Sequence, residues 1–539
     1  MKTTNFPDSN PHGGSAAAPS ISRASLTSRW WSEAFPVLTA NFFVVLLVAC
    51  AMPAAYAGLQ FQVSLPASLA TNKLDGRLLV ILSREDHAEP RLELEETGPE
   101  GPYVFGRDAS QLSWKRPAVV NDSAHSSRGI RLSEVPPGKY FVQALLDVST
   151  DIRSVNAAGN LISEPQPLNL SPSRREAIKL TLTKHIPAES VVDSESVRYI
   201  RIQSRLLSDF HKRPIYLCAG VILPASYKDN PERRYPLWIH IGGFGARHTR
   251  VADMMRSSFR TLWLATNAPQ MIYVQADGVG PNGDPYQVNS ANNGPYGHAF
   301  VRELLPAIEK EFRASGRPNG RVLTGRSTGG WVALALQIFY PDEFAGAWAG
   351  SPDPVDFRAF QLLNIYTDLN AYVNGHGEER PSARDSSGDV RLTVRREVAL
   401  ENALGRGGNW TLSGQQWGAW NAAFSPRGTD GLPVPLWNRE GRINPTVAKH
   451  WKKYDLRFVL EENWEELAPR LRGKLHLSVG EADDYFLNNA VHLLEETLSK
   501  REPKGVASFT YGRGETHGWM HPGLEALMEQ LLAATQEKR

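Results

Sequence analysis

The segment Gly325-Arg326-Ser327-Thr328-Gly329-Gly330 sets a serine among glycines. A serine hydroxyl attacks a carbonyl only when a histidine takes its proton, and that imidazole needs a carboxylate to fix its tautomer and stabilise the imidazolium. Both partners follow in the chain. Gly480-Glu481-Ala482-Asp483-Asp484 offers the acid, and Gly512-Arg513-Gly514-Glu515-Thr516-His517-Gly518-Trp519 offers the base. Asp483 is preferred because it stands three residues past Gly480, with Asp484 as the alternative acid. The tetrahedral intermediate also needs two backbone N–H groups aimed at its oxyanion. Thr328, the residue after the nucleophile, supplies one. The loop Gly242-Gly243-Phe244-Gly245 supplies the other, with Phe244 the first candidate and Gly243 the next. Together these groups could carry acyl transfer through an acyl-serine.

Such side chains work only at the ends of rigid elements. Arg321 to Thr324 reads as a buried strand, and Trp331, Leu334, Ala335 and Ile338 recur at helical spacing until Tyr340-Pro341 stops the helix. Strand, tight turn and helix is the setting of a nucleophile elbow, where the serine is held in strained backbone geometry. Further strands are expected at Leu237 to Ile241, Met271 to Gln275, Ala345 to Ala349, Lys474 to Val479 and Ala507 to Tyr511. Helices are expected at Phe300 to Phe312, Leu487 to Leu498 and Leu524 to Leu532. This alternation predicts an α/β fold with a mainly parallel sheet, helices on both faces, and catalytic groups at the carboxyl ends of strands. His240 reads as a strand residue, and His521, just before Pro522, as a surface or capping residue.

The preceding stretch has a different character. Tyr140, Val142, Ala144, Leu146 and Val148 alternate after the turn Pro136-Pro137-Gly138, and Leu180 and Leu182 alternate later. A β-sandwich of immunoglobulin-like type is expected over residues 58–190, with the catalytic domain over 191–539. Within the latter, residues 353–470 are rich in Gly, Pro and Trp and exceed one crossover connection. They read either as a cap over the site or as a peripheral elaboration, with Trp410, Trp417 and Trp420 as pocket walls or core.

Residues 1–57 read as a signal peptide. Arg23 and Arg29 precede an apolar run from Phe42 to Met52, and Ala55-Tyr56-Ala57 fits a cleavage site, so the protein is expected to be periplasmic or secreted. The run is too short to span a membrane. Leu47-Val48-Ala49-Cys50 also resembles a lipobox, which would make Cys50 a lipid anchor. Cleavage after Ala57 would leave Cys218 as the single cysteine, so stability must come from burial rather than disulfides. A net charge of +2 without dense basic blocks argues against nucleic acid as a partner. Asp277, Asn282 and Asp284 share a glycine-rich loop, but their spacing does not fit an EF-hand, and no metal is expected.

From about Val197 to the C-terminus the chain resembles the esterase D and enterochelin-esterase-like branch of the α/β-hydrolases, which includes feruloyl esterases, S-formylglutathione hydrolase and mycolyltransferases. The resemblance rests on Gly242-Gly243-Phe244-Gly245, Asn293-Gly294-Pro295-Tyr296 with Glu303-Leu304-Leu305-Pro306, the elbow, Gly480 to Leu487, and His517-Gly518-Trp519. It implies cleavage or transfer of small-molecule or polymer-borne carboxylic esters, with no metal or organic cofactor. Gly243, Tyr296 and Trp519 are candidate substrate contacts. The long insertion and the N-terminal domain depart from compact members of that branch and leave the substrate open. An acyltransferase or a peptidase on the same triad is the alternative, as is a non-catalytic surface binding protein on a hydrolase scaffold. The oligomeric state is not legible in the sequence.

Overall fold

A computed structural model describes residues 59–69, 72–86, 89–95, 101–171 and 176–536. The expected signal peptide, with Cys50, lies outside the described residues. The C-terminal half is built on eight strands: β1 Val197–Ser204, β2 Ile215–Ile222, β3 Leu237–Ile241, β4 Ile272–Ala276, β5 Arg321–Ser327, β6 Gly346–Pro352, β7 Leu475–Gly480 and β8 Ala507–Gly512. They lie in the order β1-β2-β4-β3-β5-β6-β7-β8. The pairs β1–β2 and β2–β4 are antiparallel, and every pair from β4–β3 onward is parallel. This is an α/β-hydrolase core.

β1 and β2 have no counterpart among the strands expected from sequence. β1 mixes Arg198, Arg201 and Gln203 with Tyr199, Ile200 and Ile202, and as an edge strand it shows only a blurred alternation of burial. The interior strands are apolar runs buried on both faces, such as Leu237–Ile241 and Ile272–Ala276, and these are the ones a sequence pattern exposes. The expected helix over residues 300–312 is present with a wide π turn at Phe300–Leu304 before Leu305–Glu311. Pro306 sits at the start of that last helix, where its missing N–H removes the bond to the residue four back.

The N-terminal strands belong to a single curled sheet of nine strands. Its long members are Leu74–Ser83, Tyr103–Leu112 and Gly138–Asp147. Period-two alternation divides their side chains between two cores. Leu78, Val80, Leu82, Tyr140, Val142 and Leu146 fill the inner one. Leu79, Ile81 and Leu145 face outward and pack on Ala403 and Leu404 of the helix Val394–Leu404, which belongs to the inserted segment. Arg77, 1% exposed, donates from Nε to the Ala403 carbonyl at 2.9 Å and from Nη2 to the Asn402 carbonyl at 3.0 Å. It therefore satisfies the carbonyls at that helix's C-terminal end, where no intrahelical partner exists. The described residues form one compact unit.

Residues 353–470 gather an aromatic cluster that is continuous with the core of the sheet through Phe424 and Trp331, 5.1 Å apart. Trp410 stacks on Trp437 at 4.8 Å, Trp417 meets Trp420 edge-on at 4.7 Å, and Phe360, Phe424 and Trp451 close the cluster. Trp410, Trp417 and Trp420 are at most 3% exposed, so they are core. Among the described residues no helix is long and apolar enough to cross a membrane. Arg77→Met keeps the bulk of the side chain but strips two buried carbonyls of their donors. It is expected to cost about 2–3 kcal/mol, read as a lower urea midpoint; an unchanged midpoint would show that the carbonyls do not depend on Arg77.

Candidate active site

β5 ends on Ser327, whose backbone is forced to φ 57°, ψ −129°, and the helix Thr328–Phe339 starts at once. Two glycines make this turn possible by close approach. A Cβ on Gly325 would lie 2.0 Å from the Gly329 carbonyl oxygen, and one on Gly329 would lie 2.0 Å from that of Ile241. Neither contact is tolerable, so strand, turn and helix can meet only with hydrogen at these positions. Thr328 is fully buried at the N-terminus of a twelve-residue helix, the positive end of its dipole.

Asp483 and His517 follow β7 and β8, adjacent parallel strands. Asp483 is fully buried; its Oδ1 accepts from the amides of Tyr485 at 2.9 Å and Leu487 at 3.2 Å, and its Oδ2 lies 2.8 Å from His517 Nδ1. That contact keeps the His517 Nε2 edge free for a second partner, while Tyr485 packs edge-on against the ring at 4.9 Å. The loops fit because Gly480 is glycine: a Cβ there would come within 2.2 Å of the Glu515 carbonyl. The Asp484 carboxylate makes no contact with His517; its carbonyl accepts from the Arg384 amide.

The Gly242–Gly245 loop after β3 runs beside the serine. A Cβ on Gly243 would stand 3.9 Å from Ser327 Cβ, and Phe244 is half-buried next in the chain. Asp284 holds this loop: its Oδ2 accepts from the Gly245 amide at 3.2 Å and its Oδ1 from the Tyr286 amide at 2.9 Å. Burial pushes the Asp284 carboxyl up to about 7, against those two amide bonds. Nearby, Asp277 pairs with Arg247 at 2.8 Å.

Sequence patterns left one group beside Ser327 unseen. Asp353, just past β6, accepts at Oδ2 from Tyr286 at 2.6 Å, Thr328 Oγ1 at 2.8 Å, Trp420 Nε1 at 3.3 Å and Gln416 Nε2 at 3.4 Å. Its Oδ1 receives the Ser327 hydroxyl at 3.4 Å. Desolvation raises the Asp353 pKa, and the bonds from Tyr286 and Thr328 oppose the rise. An acidic residue after the expected strand at Ala345 to Ala349 was the available signal, the same one that singles out Asp483. Gln416 and Trp420 come from the inserted segment, whose turn is set by Glu401 of the helix Val394–Leu404. Glu401 accepts from Ser413 Oγ and from the Trp417 and Gly418 amides, each at 2.8 Å.

Tyr296 is 3% exposed and belongs to the hydrophobic core. Trp519 is half-buried and stacks on His521 at 5.5 Å. His240 lies within the sheet, its pKa pushed down to about 4 by burial.

Residues 217–521 match the family model described as "Esterase: Putative esterase", more than half of the chain. The chain belongs to this esterase family. No curated protein matches it. Solved structures similar to it include a ferulic acid esterase at 18% identity, covering 63% of this chain and 98% of that one, with a TM-score of 0.37. An S-formylglutathione hydrolase from Agrobacterium tumefaciens matches at 14% identity over 63% and 94% of the two chains, TM-score 0.36. MPT51 of Mycobacterium tuberculosis matches at 14% over 63% and 99%, TM-score 0.36. Family and fold together make this member of the α/β-hydrolase esterases a hydrolase of that superfamily.

The Asp284 shift has a definite sign. Its folded-state pKa of about 7 lies above the ordinary 3.8, so the native state holds a proton that the unfolded chain releases, and stability falls as pH rises between those values. Asp284→Asn removes the titration. Its stability deficit relative to the parent is expected to be largest near pH 4 and to shrink by pH 8 in thermal melts; a deficit independent of pH would contradict the protonated carboxyl.

Proposed function

We propose that the protein is an exported serine esterase that cleaves carboxylic esters through an acyl-enzyme on Ser327. The contact that carries this reading is His517 Nδ1 to Asp483 Oδ2 at 2.8 Å, with both groups at the carboxyl ends of strands beyond the elbow. Asp483 holds the proton on Nδ1, which leaves Nε2 as the base. The Ser327 hydroxyl turns from Asp353 toward His517, loses its proton to Nε2 and attacks the ester carbonyl. The Thr328 and Phe244 amides receive the oxyanion. His517 then returns the proton to the departing alcohol, and a water molecule repeats the sequence to free the acid. Asp353 stays out of proton transfer. Its desolvated carboxyl, ligated by Tyr286, Thr328, Gln416 and Trp420, ties the inserted segment to the floor of the site. The reading extends to the rest of the chain: a leader over residues 1–57 directs export, and the β-domain over 58–190 braces the insertion over 353–470 as a cover of the site.

Turnover of a short-chain p-nitrophenyl ester tests the assignment. Ser327→Ala is expected to lower kcat by about 10³-fold or more, and Asp483→Asn by a comparable factor with KM little changed, whereas Asp484→Asn stays within about threefold of the parent. Unchanged turnover in Ser327→Ala, or equal losses in the two aspartate variants, would sink it.

A further inference from the structure

The sheet face opposite the elbow helix carries a polar row where an apolar one is expected. The cross-strand registers place Gln275, His240, Thr324, Trp348, His476 and Ser508 side by side across six strands, β4, β3, β5, β6, β7 and β8 in order. Side chains at one register level point to the same face. The row is wired internally: Trp238 Nε1 donates to Thr324 Oγ1 at 2.6 Å, Thr324 Oγ1 lies 2.9 Å from His240 Nδ1, Trp348 stacks on His476 at 4.4 Å, and His476 Nδ1 meets Ser508 Oγ at 2.9 Å.

This row floors a cavity of about 580 Å³ between the sheet and the C-terminal helix Leu524–Gln536. The volume is that of a small-molecule site. Ser327, Asp483 and His517 do not line it, although Gly243 and Trp519 do, so it adjoins the candidate active site without holding the three triad candidates. Its walls bring aromatic rings from Trp238, Tyr273, Trp348 and Trp519, and no aspartate or glutamate lines it. Two arginines do, Arg250 and Arg326, and neither guanidinium makes an ion pair or hydrogen bond with any described residue. Arg326 is half-buried, its stem lies over Gly350, and its guanidinium reaches toward Gly518. In a chain with 57 acidic residues, the half-buried guanidinium of Arg326 and the exposed one of Arg250 at its rim leave positive charge unpaired along this aromatic-walled cavity.

From this geometry we propose that the cavity is a second ligand site, for a small aromatic carboxylate whose ring lies among the tryptophans and whose anion is held by Arg326 and Arg250. Arg326 directly precedes the nucleophile candidate, and Gly242 and Gly243 also line the cavity, so the bound ligand touches the back of the elbow and of the glycine loop.

Calorimetric titration of Ser327→Ala protein with 3-phenylpropanoate, and with the neutral 3-phenylpropanamide, tests the site independently of any ester chemistry. The acid is expected to bind at least about tenfold more tightly than the amide, a difference of the size one charge-assisted contact supplies. Arg250→Gln, at an exposed position, should weaken the acid several-fold, and Ser508→Phe, which fills the cavity from the edge strand, should abolish binding. Equal affinity for acid and amide, no binding of the acid at 10 mM, roughly the limit of a useful site, or binding untouched by both variants would each overturn the proposal. Should Ser508→Phe fail to fold, Arg250→Gln decides.

Discussion

The architecture depends on how closely three backbones meet at Ser327. The end of β5, the start of the helix Thr328–Phe339 and the end of β3 approach so nearly that Gly325 and Gly329 have no room for a methyl group. The serine between them sits at φ 57°, ψ −129°, a conformation that costs on the order of 1–3 kcal/mol and persists only because the surroundings over-determine it. That over-determination is visible: every residue from Thr328 to Ile338 is buried, and β5 is paired on both sides by parallel strands. The strain is supported by the most rigid part of the molecule. From there the geometry propagates, since the loops after β3, β6, β7 and β8 all open on the same edge of the sheet.

A second line of support runs from the N-terminal sheet. Its outer face and Arg77 fix the helix Val394–Leu404, and Glu401 on that helix sets the turn that presents Gln416 and Trp420 to Asp353. The insertion is thus held from outside by a domain without catalytic groups and from inside by a buried carboxylate next to the serine. Burying Glu401, whose pKa is pushed up to about 8 by desolvation, is compensated by three donors at 2.8 Å. A long segment of weak periodicity folds here because its tryptophans pack on each other, not because its helices are intrinsically stable.

How much of this was legible in the chain follows from what each residue responds to. The six strands expected in the catalytic half are present within about three residues of their expected ends, because doubly buried strands must be apolar throughout. The edge strand β1 escaped notice because an edge strand answers to solvent on one side and blurs its alternation, and its partner β2, paired on both sides, was missed as well. The Gly-flanked serine, the acid after β7 and the histidine after β8 could be picked out because local turn chemistry restricts their neighbours. Tyr296 could not be placed, since a tyrosine after a glycine turn reads alike whether its ring faces core or pocket. Asp353 was missed because its partners Tyr286, Gln416 and Trp420 are remote in sequence, and its place after a strand, the one local signal, does not say that its carboxylate is buried among them. The polar row across the sheet was hidden for the same reason: registers between strands far apart in the chain bring Gln275, His240, Thr324, His476 and Ser508 together.

The central claim is that the strain at Ser327 serves a reactive hydroxyl activated by His517. The most direct measurement is intact-mass and peptide mapping after exposure to a fluorophosphonate, which phosphonylates only an activated serine. The account predicts one stoichiometric adduct, mapped to the peptide that carries Ser327, absent in His517→Ala. Folded protein that remains unmodified, or an adduct on another residue, would contradict it.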